Sequence, residues 1–230
     1  MTKTIGIHQP NFVPWLGYFY KIKQCDSFVY LDTAQYTKNS FQNRNKIKTP
    51  QGEHWLAIPV LTKGKFGQAT NEVEVNSTEK RQEKILKTLE MNYKKAPFFA
   101  NYFEPLKKIM TENTSLKLSE ICIAINTWIC IELGITTPCV KASDLALSPE
   151  LKSTGLLVEI CKKMEATRYL SGTGGSNYQE EESFKQNNIE LVYSKFAFPE
   201  YKQLWGDRLM NLSILDTLFN CGAATKTFIL

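Results

Sequence analysis

Apolar and polar positions change period several times along the 230 residues. Thr4-Ile5-Gly6-Ile7-His8 is a short apolar run that predicts a buried strand ending at His8. Pro10 closes it by removing a backbone donor and turning Gln9 away from helix. In "WLGYFYKIKQCD", Leu16, Phe19, Tyr20 and Ile22 fall at rough helical spacing, and "SFVYLD", Ser27 to Asp32, returns as a strand rich in β formers. Two further strands are expected about Asn43–Lys48 and Trp55–Leu61, joined by the turn Thr49-Pro50-Gln51-Gly52.

From Ser77 the period becomes helical. "STEKRQEKILKTLEMNYKKA" reads as an amphipathic helix with Ser77 or Thr78 as N-cap, interrupted at Pro97. Helices over Phe98–Thr111 and Leu116–Leu133 follow, the second stopped by Gly134. The last third alternates: a helix over Lys152–Met164, a strand in "RYLSGTGG" running into a glycine-rich loop, a helix in "QEEESFKQN", a strand in "IELVYSKF", and a helix in "LSILDTLFNCG" closed by Gly222. This order predicts one α/β domain with a mostly parallel sheet, flanking helices and a helical insertion over residues 77–135 serving as scaffold, lid or dimer surface. There is no internal repeat and no low-complexity linker.

Composition narrows the class. A hydrophobic share of 43% and a charged share of 22% are those of an ordinary globular chain. The most apolar stretch, Ile121 to Ile135, carries Asn126, Thr127 and Glu132 and is too short for a bilayer. Only Lys3 precedes the first apolar run and no small-residue cleavage site follows, so that segment is expected to stay in the mature protein. Six cysteines, at 25, 122, 130, 139, 161 and 221, form no C-x-x-C pair; they read as reduced thiols of a cytoplasmic protein, without structural zinc. The net charge of +5 is concentrated at the front: residues 1–65 hold nine Lys/Arg against three Asp/Glu. An anionic ligand near that front is expected, a phosphorylated small molecule as readily as nucleic acid.

Four stretches carry candidate chemistry. In "YLSGTGGSNY", Tyr169 to Tyr178, Ser171-Gly172-Thr173-Gly174-Gly175 can turn several backbone N–H groups toward an anion or a developing oxyanion; a tight strand-to-helix turn is the competing account. His8 ends a strand and is followed by Pro10 and Pro14, which suits a general base, or equally a core histidine bonded to a carbonyl. Asp32, Gln35, Tyr36, Lys38, Asn43 and Arg44 form a polar segment able to hold a phosphate, or else a solvated basic hairpin, and His54 reads as surface. Ser213 fits an N-cap and Asp216 a capping-box acid, with orientation of His8 as the other role for Asp216.

Taken in order, "HQPNFVPWLGYFYKI", "FVYLDTAQYTKNSFQNRNKIK", "HWLAIPV", "YLSGTGGSNY" and "LSILDTLFNCG" resemble the WbqC-like family from end to end. The resemblance implies a role beside bacterial O-antigen and other surface-polysaccharide genes, in making or decorating a sugar building block. It brings His8, Gln9, Asp32, Gln35, Asn43, Arg44, Ser171, Gly172, Tyr178, Ser213 and Asp216 into the candidate site. The cysteines lie outside the motif cores, which argues against a thiol nucleophile; Cys25 is the nearest to His8 in sequence.

The function expected from residues and resemblance together is transfer of an acyl or aminoacyl group from a thioester, on an acyl carrier protein or coenzyme A, to the amine of a nucleotide-linked amino sugar. His8 is the expected base, Asp32 or Asp216 its orienting acid, the Ser171–Gly172 backbone the oxyanion site, and Arg44 with Lys38 the diphosphate grip. No metal and no tightly bound cofactor is expected. The rivals are a sugar-nucleotide lyase or isomerase using the same His and Asp, and a module binding RNA or glycan through Tyr36, Phe41 and Trp55. Nucleic acid is disfavoured because the basic excess is small and confined to one end.

Overall fold

The computed structural model describes residues 2–76, 79–177 and 179–230, apart from the side chains of residues 79–81 and 177. Five strands form one parallel sheet: β1 (Thr4–His8), β2 (Ser27–Tyr30), β5 (Cys139–Lys141), β6 (Arg168–Ser171) and β7 (Glu190–Tyr193), in the order β5-β2-β1-β6-β7. A separate antiparallel hairpin, β3 (Arg44–Thr49) with β4 (Gly52–Ala57), stands outside it. Helices α1 (Leu16–Lys23), α2 (Glu79–Tyr93), α3 (Phe99–Glu112), α4 (Leu118–Glu132), α5 (Ser153–Lys163), α6 (Glu181–Gln186) and α7 (Ile214–Cys221) complete the α/β arrangement. Among the described residues no helix is long and apolar enough to cross a membrane.

Period-two alternation gives the sheet its two faces. Ile5, Ile7 and Val29 pack with Leu157 and Cys161 of α5 and Phe184 of α6. Phe28 and Tyr30 turn the other way, toward α1, α4 and α7. Gly6 lies on that second side because a side chain there would press on Phe28 and the Cys25 thiol, each 2.9 Å from where its Cβ would be. The helices of residues 79–132 belong to the same continuous core as α1 and α7, through Leu89, Phe103, Leu106 and Ile125.

Boundaries differ where turn chemistry decides them. The hairpin closes on Pro50 and Gln51, since Thr49 pairs with Gly52, so β4 starts three residues earlier than Trp55 and ends at Ala57 rather than Leu61. Gly52 accepts this because its φ of 103° needs no Cβ. β2 ends at Tyr30, two residues before Asp32. The edge strand β5 was not expected: three residues after Pro138 are too few to show a period, and pairing with β2 makes the strand. Ser77 and Thr78, expected as N-cap, lie outside the described residues.

Candidate functional site

The chain leaves β1 toward β2 on one side and later returns to place β6 on its other side. The carboxyl ends of β1 and β6 therefore flank the point where strand order reverses, the usual ligand position in an open parallel sheet. A cleft opens there. Its inner lobe, about 280 Å³, is lined by His8, Gln9, Lys21, Ser171, Gly172 and Gly175 among others. Sharing His8, Lys21 and Gly172 with it is an aromatic lobe of about 260 Å³, walled by Trp15, Tyr18, Phe196 and Phe198. On the other side an outer lobe of about 540 Å³ shares Gln9, Leu31 and Leu157 and adds Gln35, Lys152 and Ser153. The small gap between Ile58, Ile85, Met110 and Ile121, about 20 Å³, is apolar and offers no comparable chemistry.

His8 is the last residue of β1 and turns to the α1 side of the sheet, with its ring 4.9 Å from that of Tyr18. Its partner is Lys21, whose Nζ lies 2.8 Å from His8 Nδ1 and donates to the Ile7 carbonyl at 3.0 Å. Lys21 is only 3% exposed, and among the described residues no carboxylate pairs with it. Two hydrogen bonds from an ammonium contribute roughly 1.5–3 kcal/mol each, against several kcal/mol for the desolvation of a buried ion, and desolvation is the largest influence on Lys21. Burial therefore brings the Lys21 pKa down to about 7. Burial, and then the Lys21 charge, hold His8 well below the ordinary histidine value. The two groups face each other as a pair in which His8 is held neutral and Lys21 changes charge near neutral pH.

The glycine loop forms the opposite wall. Gly175 N donates to Gly172 O at 2.9 Å, and Ser194 N to Ser171 O at 2.8 Å. A side chain at Gly175 would collide with Ser171 Oγ and the Gln179 amide, so this position has to be bare. Ser171 is buried, and its Oγ donates to the Gly172 carbonyl at 3.1 Å.

The structure gathers His8, Gln9, Gln35, Ser171 and Gly172 around the cleft and places the other expected residues elsewhere. Asp32 does not orient His8. Its carboxylate accepts from Ser143 N at 3.0 Å and Ser143 Oγ at 2.6 Å, tying the loop after β2 to the short 3₁₀ turn Ala142–Asp144. Asp216 does not orient it either, nor does its carboxylate return to the cap: the carboxylate accepts from Tyr93 OH at 2.7 Å and Tyr201 OH at 2.8 Å. Burial raises its pKa, more than those hydroxyls lower it. Ser213 is the N-cap of α7, accepting from Leu215 N, while its Oγ donates to the Val13 carbonyl at 2.8 Å.

The polar segment after β2 is likewise spent on its own fold. Arg44 donates to the Asn39 carbonyl at 2.6 Å and stacks 4.1 Å above the Trp55 ring. Tyr36 OH donates to Asn43 Oδ1, and Asn43 Nδ2 to the Ile58 carbonyl, both at 2.9 Å. Lys38 is exposed on the loop; like Arg44 it does not line the cleft. The cations that do are Lys21 and Lys152. Tyr178 lies outside the described residues. Cys25 is buried with its thiol raised to about 12 and donating to the Lys21 carbonyl, so it offers no thiolate to the cleft.

Lys21 is the group that sequence reasoning passed over. Its signal was present: Tyr18, Lys21, Ile22 and Cys25 follow the i, i+3, i+4, i+7 spacing of one buried helix face. A lysine on such a face needs a reason to be there.

A doubly wound α/β domain with a ligand cleft at its switch point is what fold and site define. A model of the WbqC-like protein family matches residues 9–227, and the chain belongs to that family. It is also 36% identical, over 99% of its length and 97% of the relative's, to "Uncharacterized protein Rv1507c" of Mycobacterium tuberculosis. No solved structure matches the chain.

Proposed function

We propose that the protein transfers an acyl or aminoacyl group from a thioester, carried on an acyl carrier protein or coenzyme A, to the amine of a nucleotide-linked amino sugar used in bacterial surface polysaccharide. The observation that carries this reading is the placement of the His8–Lys21 pair between two lobes of different character. Group transfer without a covalent enzyme intermediate needs donor and acceptor side by side at one base. The aromatic lobe suits the apolar arm of a thioester donor. The inner lobe, which the pair also lines, suits the amine end of the acceptor. The outer lobe, joined to it through Gln9, Leu31 and Leu157, suits the phosphorylated remainder, with Lys152 and Gln35 there.

In this mechanism the acceptor amine attacks the thioester carbonyl, and His8 takes its proton on Nε2, from the tautomer whose Nδ1–H faces neutral Lys21, with Lys21 as the adjoining proton store. The oxygen that gains charge faces the Gly172–Gly174 backbone. The thiolate leaves and is reprotonated from the pair, so the protons balance. Lys152 takes over the anion-binding role expected of Arg44 and Lys38.

The test is to incubate the protein with nucleotide-linked amino sugars and thioester donors and to follow the acceptor's mass. The expected result is an acyl-sized gain that falls by about 10² to 10⁴ with His8→Ala, the usual weight of a general base. No mass gain with any thioester, or an undiminished rate in His8→Ala, refutes the assignment.

A further inference from the structure

Lys21 is placed for more than holding a proton. As a neutral amine it has two N–H bonds, and with His8 in its Nε2–H tautomer two acceptors lie against it: the Ile7 carbonyl at 3.0 Å and His8 Nδ1 at 2.8 Å. The nitrogen is tetrahedral, so its lone pair points away from both. Lys21 lines both the inner and the aromatic lobe, so the cleft reaches its side chain. Its surroundings leave a large share of the amine uncharged near pH 7: no carboxylate among the described residues pairs with it, and burial, outweighing the Phe28 ring 5.6 Å from Nζ, brings its pKa to about 7.

This is the relation of nucleophile and base, with a nitrogen in the place usually held by a hydroxyl or a thiol. We infer that Lys21 is a nucleophile that condenses with an aldehyde or ketone entering the cleft to form an imine, with His8 moving the protons. The Nζ lone pair forms the new C–N bond while the carbonyl π pair moves to oxygen. His8 Nδ1 takes one proton from Nζ and delivers it to that oxygen, giving the carbinolamine. It then takes the second Nζ proton and delivers it to the new hydroxyl, so water departs with both protons as the C=N bond forms. Water returning reverses every step, so no oxidant or reductant is consumed. The combined inner and aromatic lobes, about 280 and 260 Å³, leave room for a carbonyl compound the size of a sugar or a short keto acid. This activity needs neither a thioester nor an amine acceptor.

Reductive trapping tests it on the wild-type protein. The full chain is incubated near pH 7 with glycolaldehyde and sodium cyanoborohydride, digested, and its lysines ranked by adduct mass. The inference expects Lys21 to be labelled ahead of the exposed lysines. Labelling that accumulates on exposed lysines while Lys21 stays unmodified overturns it. His8→Ala is expected to slow labelling of Lys21 by about tenfold or more; an unchanged rate removes His8 from the proposal. Failure here leaves the acyl-transfer assay to stand or fall by its own result, since the probe contains no acyl group.

Discussion

At the scale of the residue, desolvation decides what Lys21 is. A lysine that gained a carboxylate on folding would have its pKa raised; Lys21 gains two neutral acceptors and loses water, and its pKa falls from 10.5 to about 7. The denatured chain then binds a proton that the native chain does not over the window from about pH 7 to 10.5. Native stability must therefore rise with pH across that window through this one group, and its contribution is lowest below pH 7. Urea unfolding of wild type and Lys21→Met at several pH values checks this. The expected outcome is a stability difference favouring Lys21→Met near pH 7 and shrinking as pH rises toward 10.5. A constant difference places Lys21 in the ordinary lysine range.

At the scale of the element, the start of α1 is held in a conformation that its own residues resist. Val13 is β-branched yet has φ of 38°, and its carbonyl accepts from both Asn45 Nδ2 at 2.9 Å and Ser213 Oγ at 2.8 Å. Those two bonds fix where Pro14 and Trp15 lead the chain into the helix, and so where Trp15 stands in the aromatic lobe. Ser213→Ala removes one of them together with the N-cap of α7. Thermal and urea unfolding are expected to show a loss of about 1–2 kcal/mol; an unchanged stability contradicts the double role. The strand and helix identities around this element were legible because "TIGIH" is a short apolar run, "SFVY" is rich in β formers and "LGYFYKIK" has apolar residues at rough helical spacing. Partners were not. Asp32, Asp216 and Arg44 carry the right chemistry for a site, but Ser143 and Tyr93 claim the two acids from 111 and 123 residues away, and Arg44 is taken up within its own hairpin by the Asn39 carbonyl and the Trp55 ring. Lys21 was hidden for the opposite reason: a helix face with three apolar neighbours reads as core.

At the scale of the whole molecule, the sheet order makes one end of the domain functional. With β1 between β2 and β6, the glycine loop, the end of β1 and the start of α1 meet around a single cleft, although they are more than 160 residues apart in sequence at the extremes. Both the transfer reading and the imine activity depend on His8 and Lys21 acting there as one proton-sharing unit. The chain contains only two histidines, His8 and His54, so imidazole nitrogen resonances can be assigned without ambiguity. A pH titration followed by long-range proton–nitrogen correlation on wild type and Lys21→Met is the direct measurement. The account predicts that His8 stays neutral through the ordinary histidine range near 6.5 and that its Nδ1 shift moves with a transition near pH 7 that Lys21→Met abolishes. Protonation of His8 near 6.5, unaltered by Lys21→Met, would contradict it.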